Sequence, residues 1–461
     1  MALIDSLAEV LPADRISVAD DEIAAHSYDA WPVAIKWRQQ NLQPCKPDAV
    51  VKPQNAEEVA TIVRWANATA TPITPWGLGS AVTGACLTEH GGITVDLSAM
   101  NRTVCIDETN MMVTAEAGKR GDVLEAELNA KGYTLNHSPQ SLDRSSIGGW
   151  IATRATGQFS SRYGGVEDLV VSLKAVLPDG TSVETKRTPR AAIGLDTKGL
   201  FLGSEGTFGI VTEVTTKIFP VVRDRIFEAV SFASVEAGIE VLRKITREGL
   251  KPFLVRYYDE DEACHAMKDK SFDSCVLFLG FEGVGGRAEY DAALDICAQH
   301  QGKKLGPAPV EAWMGRRYDF SGIENVLARP GGVAETIEVV DFWDSIEGTY
   351  HALKKALAPL ADEVLGHFSH VYAQGTSLYM ILLGTAEDAR EAEERLREIW
   401  DVAMRICLER GAAISHHHGV GLARLPYIRQ DVATALPVNS LVKKALDPNN
   451  IMNRGKLGYA A

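Results

Sequence analysis

Two residue patterns in this chain can do chemistry. The first is SHHHGVG at 415–421, three consecutive histidines inside the chain. Histidine's unperturbed pKa lies close to neutrality, which suits it to moving protons there. The second is a set of three glycine-rich turns, each beside an apolar β-like run. They are PITPWGLGSAVTGA at 72–85, SPQSLDRSSIGGWIATRATG at 138–157 and GLFLGSEGTFGIVTEVTTKIFP at 199–220. Glycine reaches positive φ and lets a ligand approach the backbone, and the N–H groups of such turns can donate to a pyrophosphate. One loop of this kind reads as an ordinary tight turn. Three within one domain's length, with Ser and Thr interleaved, read as the walls of a dinucleotide site. No G-x-G-x-x-G follows a strand with Rossmann spacing.

The histidines have a competing use as metal ligands. GHFSH at 366–370 can bring His367 close to the triplet, yet no carboxylate stands at metal-like spacing in either motif. Acid–base work is therefore the expected role, and no metal is expected. If the triplet is extended, His416 and His418 share one face and His417 faces away.

PWGLGSAVTG at 75–84, SIGGWIATRATG at 146–157 and GSEGTFGIVTEV at 203–214 carry a resemblance. They look like the FAD-binding domain of the vanillyl-alcohol oxidase / p-cresol methylhydroxylase flavoprotein family, and with the C-terminal part the likeness spans nearly the whole chain. The resemblance implies an α+β fold: a two-subdomain FAD-binding domain of the vanillyl-alcohol oxidase type plus an α+β cap with an antiparallel sheet. It implies one non-covalent FAD, held by Pro75, Trp76, Gly77, Leu78, Gly79, Ser80, Ala81 and Gly84 of the first loop. Pro139, Ser141, Leu142, Ser145, Gly148, Gly149, Ala152, Thr153 and Ala155 would serve from the second, and Glu205, Gly206, Gly209 and Ile210 from the third. SHHHGVG is similar to the active-site triplet of the alkyl-dihydroxyacetonephosphate synthase branch, which makes His416, His417 and His418 catalytic candidates. FLVRYYD at 253–259 makes Arg256 the match for that branch's substrate-binding arginine, and SHVYAQGTSLY at 369–379 makes Tyr379 the match for its catalytic tyrosine. A second substrate arginine has its nearest candidate in Arg329, and His367 joins the substrate-binding set.

Two departures qualify the branch. Its members carry a longer N-terminal extension, and its first flavin loop is richer in glycine, whereas Trp76 and Leu78 bring this loop nearer to the related D-lactate and glycolate dehydrogenases. The expected activity is thus synthase-like, on a small anionic substrate with room for an alkyl chain. The alternative is FAD-dependent oxidation of a 2-hydroxy acid or related alcohol. A non-catalytic flavin binder is disfavoured by the intact triplet. A homodimer stays open.

The elements that must position these residues are legible in outline. Residues 1–45 read as a helical lead-in, 46–222 as the FAD domain, 223–410 as the cap, and 411–461 as a segment returning to the flavin site. AVVKP at 49–53 is a strand, Asn55 caps the helix that follows, and PITPWG is the next strand, a β-α-β opening. LVVSLKAVLPDGTSVET at 169–185 is a hairpin turning at Asp179-Gly180. After Pro220, two helix-plus-strand sets suggest helices packed on one sheet face.

Composition sets outer limits. With 46% hydrophobic and 23% charged residues the chain reads as globular, and its 461 residues suggest two domains. A net charge of −14 argues against nucleic acid as a partner, since phosphate backbones need a basic field. The seven cysteines are scattered without a C-x-x-C pair, which with the absence of a secretory n- and h-region suggests reduced thiols in a cytoplasm. The GYAA terminus is not a peroxisomal address, and no apolar run is long enough to span a membrane.

Overall fold

The structure, a computed structural model, describes residues 2–459; Met1, Ala460 and Ala461, the last two in the GYAA terminus, lie outside the described residues. The strands Ala49–Val51 and Ile73–Trp76 are joined by the helix Ala56–Thr69, whose N-cap Asn55 accepts from the Glu58 amide through its side chain. Val59, Ile62, Val63 and Ala66 recur on one helical face and are buried against the sheet. Ile93–Asp96 lies between the two strands, parallel to both. The lead-in contributes a fourth strand, Ile16–Ser17, antiparallel to Ala49–Val51.

A second, five-stranded antiparallel sheet runs in the order Thr103–Asp107, Met112–Glu116, Ile210–Lys217, Val170–Val176, Ser182–Glu184. Its hairpin turns where expected, with Gly180 at φ 84°. The glycine-rich segments lie at the ends of these two sheets. The first follows Ile73–Trp76 and the third precedes Ile210–Lys217. The middle one becomes the short helix Ile147–Thr153, capped by Ser146, whose hydroxyl accepts from the Gly149 amide.

The cap is a seven-stranded sheet with every neighbouring pair antiparallel. Its order is Lys303–Gly306, Arg225–Phe232, Cys275–Glu282, Leu254–Tyr258, Glu363–Val371, Gly375–Thr385, Gly332–Phe342. The helices Val235–Arg247, Ile346–Leu357 and Ala389–Arg410 share a core with Val255, Tyr257, Phe368, Leu378 and Val339 on one sheet face. Successive side chains alternate across a strand, so Arg256, Tyr258, His367, Tyr379 and Glu338 take the opposite face. The register aligns them: Tyr258 lies opposite His367, His367 opposite Tyr379, and Tyr379 opposite Glu338. Four adjacent strands thereby carry one polar row.

The two ends of the chain tie the halves together. In the lead-in helix Pro32–Gln39, the Trp37 indole donates to Glu393 of the long cap helix at 2.9 Å, and the Lys36 ammonium to the Leu327 and Arg329 carbonyls at 3.1 and 2.9 Å. Near the C-terminus, the Asn453 amide donates to the carbonyls of Ala85 and Glu205, and Lys456 to that of Leu87. Among the described residues no helix is long and apolar enough to cross a membrane.

Candidate active site

A cavity of about 640 Å³ runs between the two halves. One end is walled by the glycine-rich loops, the other by the polar row of the cap sheet. Of the residues assigned to the cofactor from sequence, Pro75 through Ala81, Pro139, Ser141, Ser145, Gly148, Gly149, Ala152, Thr153, Ala155, Glu205, Gly206, Gly209 and Ile210 all line it. Gly79 has φ 70°, a conformation that costs a residue with a Cβ. A Cβ on Gly77 would meet the Ser146 hydroxyl at 2.5 Å, and one on Gly148 the Ala117 Cβ at 2.7 Å.

Two assignments are corrected. Gly84 is not in the lining: its amide serves the Asp29 carboxylate, and a Cβ there would press on Trp31 and Leu422 at 3.0–3.1 Å. Its glycine is required by packing and by φ 77°. Leu142 is 5% exposed and belongs to the core under the second sheet. Glu205 does line the cavity, but its carboxylate accepts from the Val420 and Gly421 amides and so clamps the C-terminal segment onto the third loop.

At the cap end the triplet is not a strand. Residues 416–418 form a series of bends, so the alternation expected of an extended chain does not apply. His417 and His418 both line the cavity, and His416 lies behind them, stacked on His370 at 5.0 Å. The Tyr379 hydroxyl lies 2.6 Å from His417 Nε2 and 3.2 Å from His418 Nε2, and its ring stacks on His367 at 4.7 Å. Glu338, fully buried, draws the loop onto the sheet. Its carboxylate accepts from the backbone N–H groups of His416, His417 and His418, from the Ser415 hydroxyl and from Arg424 at 2.8 Å. Burial works most strongly against the charge on Glu338, but Arg424 and the three neighbouring histidines together outweigh it and hold the carboxyl far below the usual range. Arg424 also donates to the carbonyls of Ile414 and Gly419, closing both ends of the loop, and lies over the Trp400 ring. Burial pushes His416 and His417 down to about 3 and His418 to about 4, so all three imidazoles are neutral at neutral pH.

Arg256 is 8% exposed, and among the described residues it makes no ion pair. Its Nη2 donates to His367 Nε2 at 2.9 Å, which fixes the His367 proton on Nδ1, where it is donated to Glu262 at 2.8 Å. The guanidinium is held between the rings of Trp313 and Tyr258, at 5.1 and 5.4 Å. A buried, oriented cation facing a cavity without a carboxylate of its own is suited to an anionic ligand.

Arg329 does not reach the site. It is exposed, and its carbonyl serves Lys36 on the far side of the cap. The helix Ser321–Ala328 ends at it, and the chain leaves toward the strand Gly332–Phe342. Besides Arg256, the arginines at the cavity are Arg316 and Arg317, with the Arg317 guanidinium over Tyr318 at 4.4 Å and its Nε without a hydrogen-bond partner. The run WMGRRYDF at 313–320, two arginines among aromatics, is the sequence signal that identifies them. Glu338 and Glu262 had no such signal, because each lies far in sequence from its partners. His370 was likewise unassigned. It sits on a bulge between Ser369 and Val371 with φ 51°, its Nδ1 2.7 Å from the Ser160 hydroxyl, and one ring nitrogen each of His370, His416 and His417 fall within 4.8 Å of one another.

These residues fit FAD. The loop end offers backbone that no Cβ crowds, with the Ser80, Ser141, Ser145 and Thr153 side chains along it, and the one acid of the third loop is already bonded within the protein. The other end supplies a cation and neutral proton carriers.

Comparison with known proteins agrees with that reading of the cavity. Residues 47–186 match the family model described as FAD binding domain, and residues 222–457 that of FAD linked oxidases, C-terminal domain. The chain is 32% identical over 474 residues to the FAD-linked oxidoreductase YgcU of Escherichia coli (strain K12), covering 99% of this chain and 98% of the relative. It is 28% identical to alkyldihydroxyacetonephosphate synthase of Dictyostelium discoideum (89% of this chain, 73% of the relative). It is 29% identical to mitochondrial D-lactate dehydrogenase [cytochrome] of Arabidopsis thaliana, with the same coverages of 89% and 73%. Among solved structures, an alkyldihydroxyacetonephosphate synthase superposes with a TM-score of 0.81 at 24% identity, over 98% of this chain and 85% of that one. Substrate-bound p-cresol methylhydroxylase gives 0.83 at 15% identity, over 100% and 96%.

Proposed function

The chain belongs to the FAD-linked oxidases and is an FAD-dependent enzyme on the p-cresol methylhydroxylase type of fold, and from that premise we propose that it acts on a small anionic, oxygenated substrate held by Arg256, with Tyr379 and His417 moving the proton. The observation that carries this reading is the meeting, at one end of one cavity, of a buried guanidinium without a carboxylate partner and a tyrosine hydroxyl 2.6 Å from an imidazole. When bound, FAD would supply the electron-accepting ring. Arg256 would hold the anionic group through its planar fork, while His367 and Glu262 fix the direction of that fork. Tyr379 would exchange a proton with the substrate, and His417 and His418 orient its hydroxyl. Glu338 and Arg424 act on the substrate only through the loop they position.

The synthase-like exchange of an acyl for an alkyl group, with no net redox change, is the first reading of the reaction. It is supported by the triplet with its tyrosine partner and by the 28% identity with the synthase. Oxidation of a 2-hydroxy acid is the second, favoured by the 29% identity with D-lactate dehydrogenase. Anaerobic titration of the flavin spectrum separates them. The first reading expects acyl-dihydroxyacetone phosphate, given together with a long-chain alcohol, to exchange its acyl group for the alkoxy group and release the fatty acid without lasting bleaching. Lasting bleaching by a D-2-hydroxy acid, reversed by an electron acceptor, selects the second. A spectrum that responds to neither, with both Arg256 and Tyr379 intact, refutes the substrate class.

A further inference from the structure

We propose that Tyr379, His417, His416 and Tyr372 form a proton relay from the substrate end of the cavity to solvent, with the Tyr372 hydroxyl as its outer terminus. The proposal rests on the reading above that Tyr379 meets the substrate. Three hydrogen bonds make the path: Tyr379 Oη to His417 Nε2 at 2.6 Å, His417 Nδ1 to His416 Nδ1 at 2.7 Å, and His416 Nε2 to Tyr372 Oη at 2.7 Å. Tyr379 and His417 line the cavity, His416 does not, and Tyr372 is 37% exposed. The path therefore runs from the cavity to a partly exposed tyrosine, whose phenol burial still holds above its ordinary range.

Both ring nitrogens of both imidazoles are engaged along it. A neutral imidazole donates at one nitrogen and accepts at the other, which is what a carrier needs. The contact between the two Nδ1 atoms has a further requirement. With no proton between them the lone pairs repel, and with two the N–H groups collide, so one proton must lie there. Burial, by keeping both rings neutral, maintains that count. His418 touches Tyr379, but its Nδ1 has no hydrogen-bond partner and lies 3.6 Å from a Glu338 oxygen, and the His370 Nδ1 is bonded to Ser160. Glu338 and Arg424 are occupied with the loop backbone and each other.

The transfer balances. Tyr379 takes the substrate's proton and gives its own to His417 Nε2. His417 passes its Nδ1 proton to His416 Nδ1, His416 passes its Nε2 proton to Tyr372, and Tyr372 releases one to water. Each residue ends with the number of protons it began with, and only the two tautomers are reversed. Burial, with Glu338 adding to it, holds the Tyr379 phenol well above its ordinary range, so the resting residue is not a stored phenolate. It can act as a base only if its proton leaves as another arrives, and this path allows that.

The test needs no substrate. In FAD-loaded, perdeuterated protein with ¹⁵N-histidine, NMR follows solvent exchange of the proton shared by His416 and His417. Tyr372→Phe keeps the ring and removes the terminus; exchange should slow by roughly tenfold or more, with flavin absorbance and the shifts of His418 unchanged. His416→Ala should slow exchange at His417, and added imidazole should restore it. An unchanged exchange rate in Tyr372→Phe overturns the relay, as does a tightly held metal at one equivalent, which would occupy the nitrogens that carry the proton. Unchanged turnover in Tyr379→Phe would instead overturn the substrate reading, so the two fail separately.

Discussion

Arg256 is where the chemistry of a single residue is most exposed to test. Its direct partners are aromatic rings, the Tyr258 hydroxyl and a neutral histidine, with the Glu262 carboxylate one hydrogen bond further away behind His367. Arg256→Ala should keep FAD and lose substrate affinity by about 1.5–3 kcal/mol, roughly ten- to a hundredfold. Arg256→Lys, a point charge without the fork, should recover only part. Titration of the flavin spectrum with substrate measures both, and unchanged affinity would make Arg256 a structural residue. The triplet gives a second prediction. In the unfolded chain these histidines titrate near 6.5, whereas burial lowers them to about 3 to 4 in the folded protein. Above the unfolded value they are neutral in both states and add no pH dependence. Below it the unfolded state binds protons the folded state refuses, so stability falls as pH falls, by up to about 1.4 kcal/mol per pH unit for each imidazole. Denaturant unfolding at about pH 7 and pH 5 should show the loss, and His416→Asn should reduce its slope. A slope unaltered by that substitution would place the proton uptake elsewhere. Arg256, Tyr379 and the histidines were legible in sequence because their types are conspicuous in ordered motifs. Glu338 was not: an acid within TIEVVD reads as the polar position of a strand, and its amide partners lie 78–80 residues away.

Elements whose cause is local were legible; those fixed by long-range register were not. The Asn55 cap and the Asp179-Gly180 turn are side chains or backbone acting within three residues, and the structure has both. The row Tyr258–His367–Tyr379–Glu338 depends on pairing among four strands, and the His370 bulge on one extra residue in one of them, neither of which a periodicity reveals. The triplet does not alternate as an extended chain would, because Glu338 gathers three consecutive amides onto one carboxylate. That geometry bends the chain. The first glycine loop carries the prediction at this scale. Gly79 has φ 70°, and a Cβ there would meet the Trp76 ring at 2.4 Å. Gly79→Val must move either Trp76 or the loop, and both line the cavity. Soluble protein lacking FAD is the expected result, read from the absorbance spectrum and from the far-UV circular dichroism. Full occupancy by FAD would remove Gly79 from the cofactor wall.

Across the whole molecule, the cavity is a joint product of segments far apart in the chain. Its walls come from both sheets of the first half, from the cap sheet and from the triplet loop, while Glu205 clamps Val420 and Gly421 across them. The end segments hold the same halves from outside: Lys36 and Trp37 grip the cap, and Asn453 and Lys456 return to the first loop. A ligand spanning such a cavity binds only when all walls are in place, so its binding free energy adds to the stability of the whole. At a free FAD concentration a hundred times its Kd the gain is about 2.7 kcal/mol. The side chains nearest the reactive end are already engaged with one another, Tyr379 with His417 and Arg256 with His367, which fits a cofactor held without a covalent bond. Acid precipitation should therefore release all FAD into the supernatant, and the apoprotein so judged by Gly79→Val should melt earlier than the holoprotein. Adding FAD to wild-type apoprotein should restore the higher melting temperature in a concentration-dependent way. Flavin retained in the precipitate would establish a covalent link, and a melting temperature indifferent to FAD would mean that the two halves are held together without it.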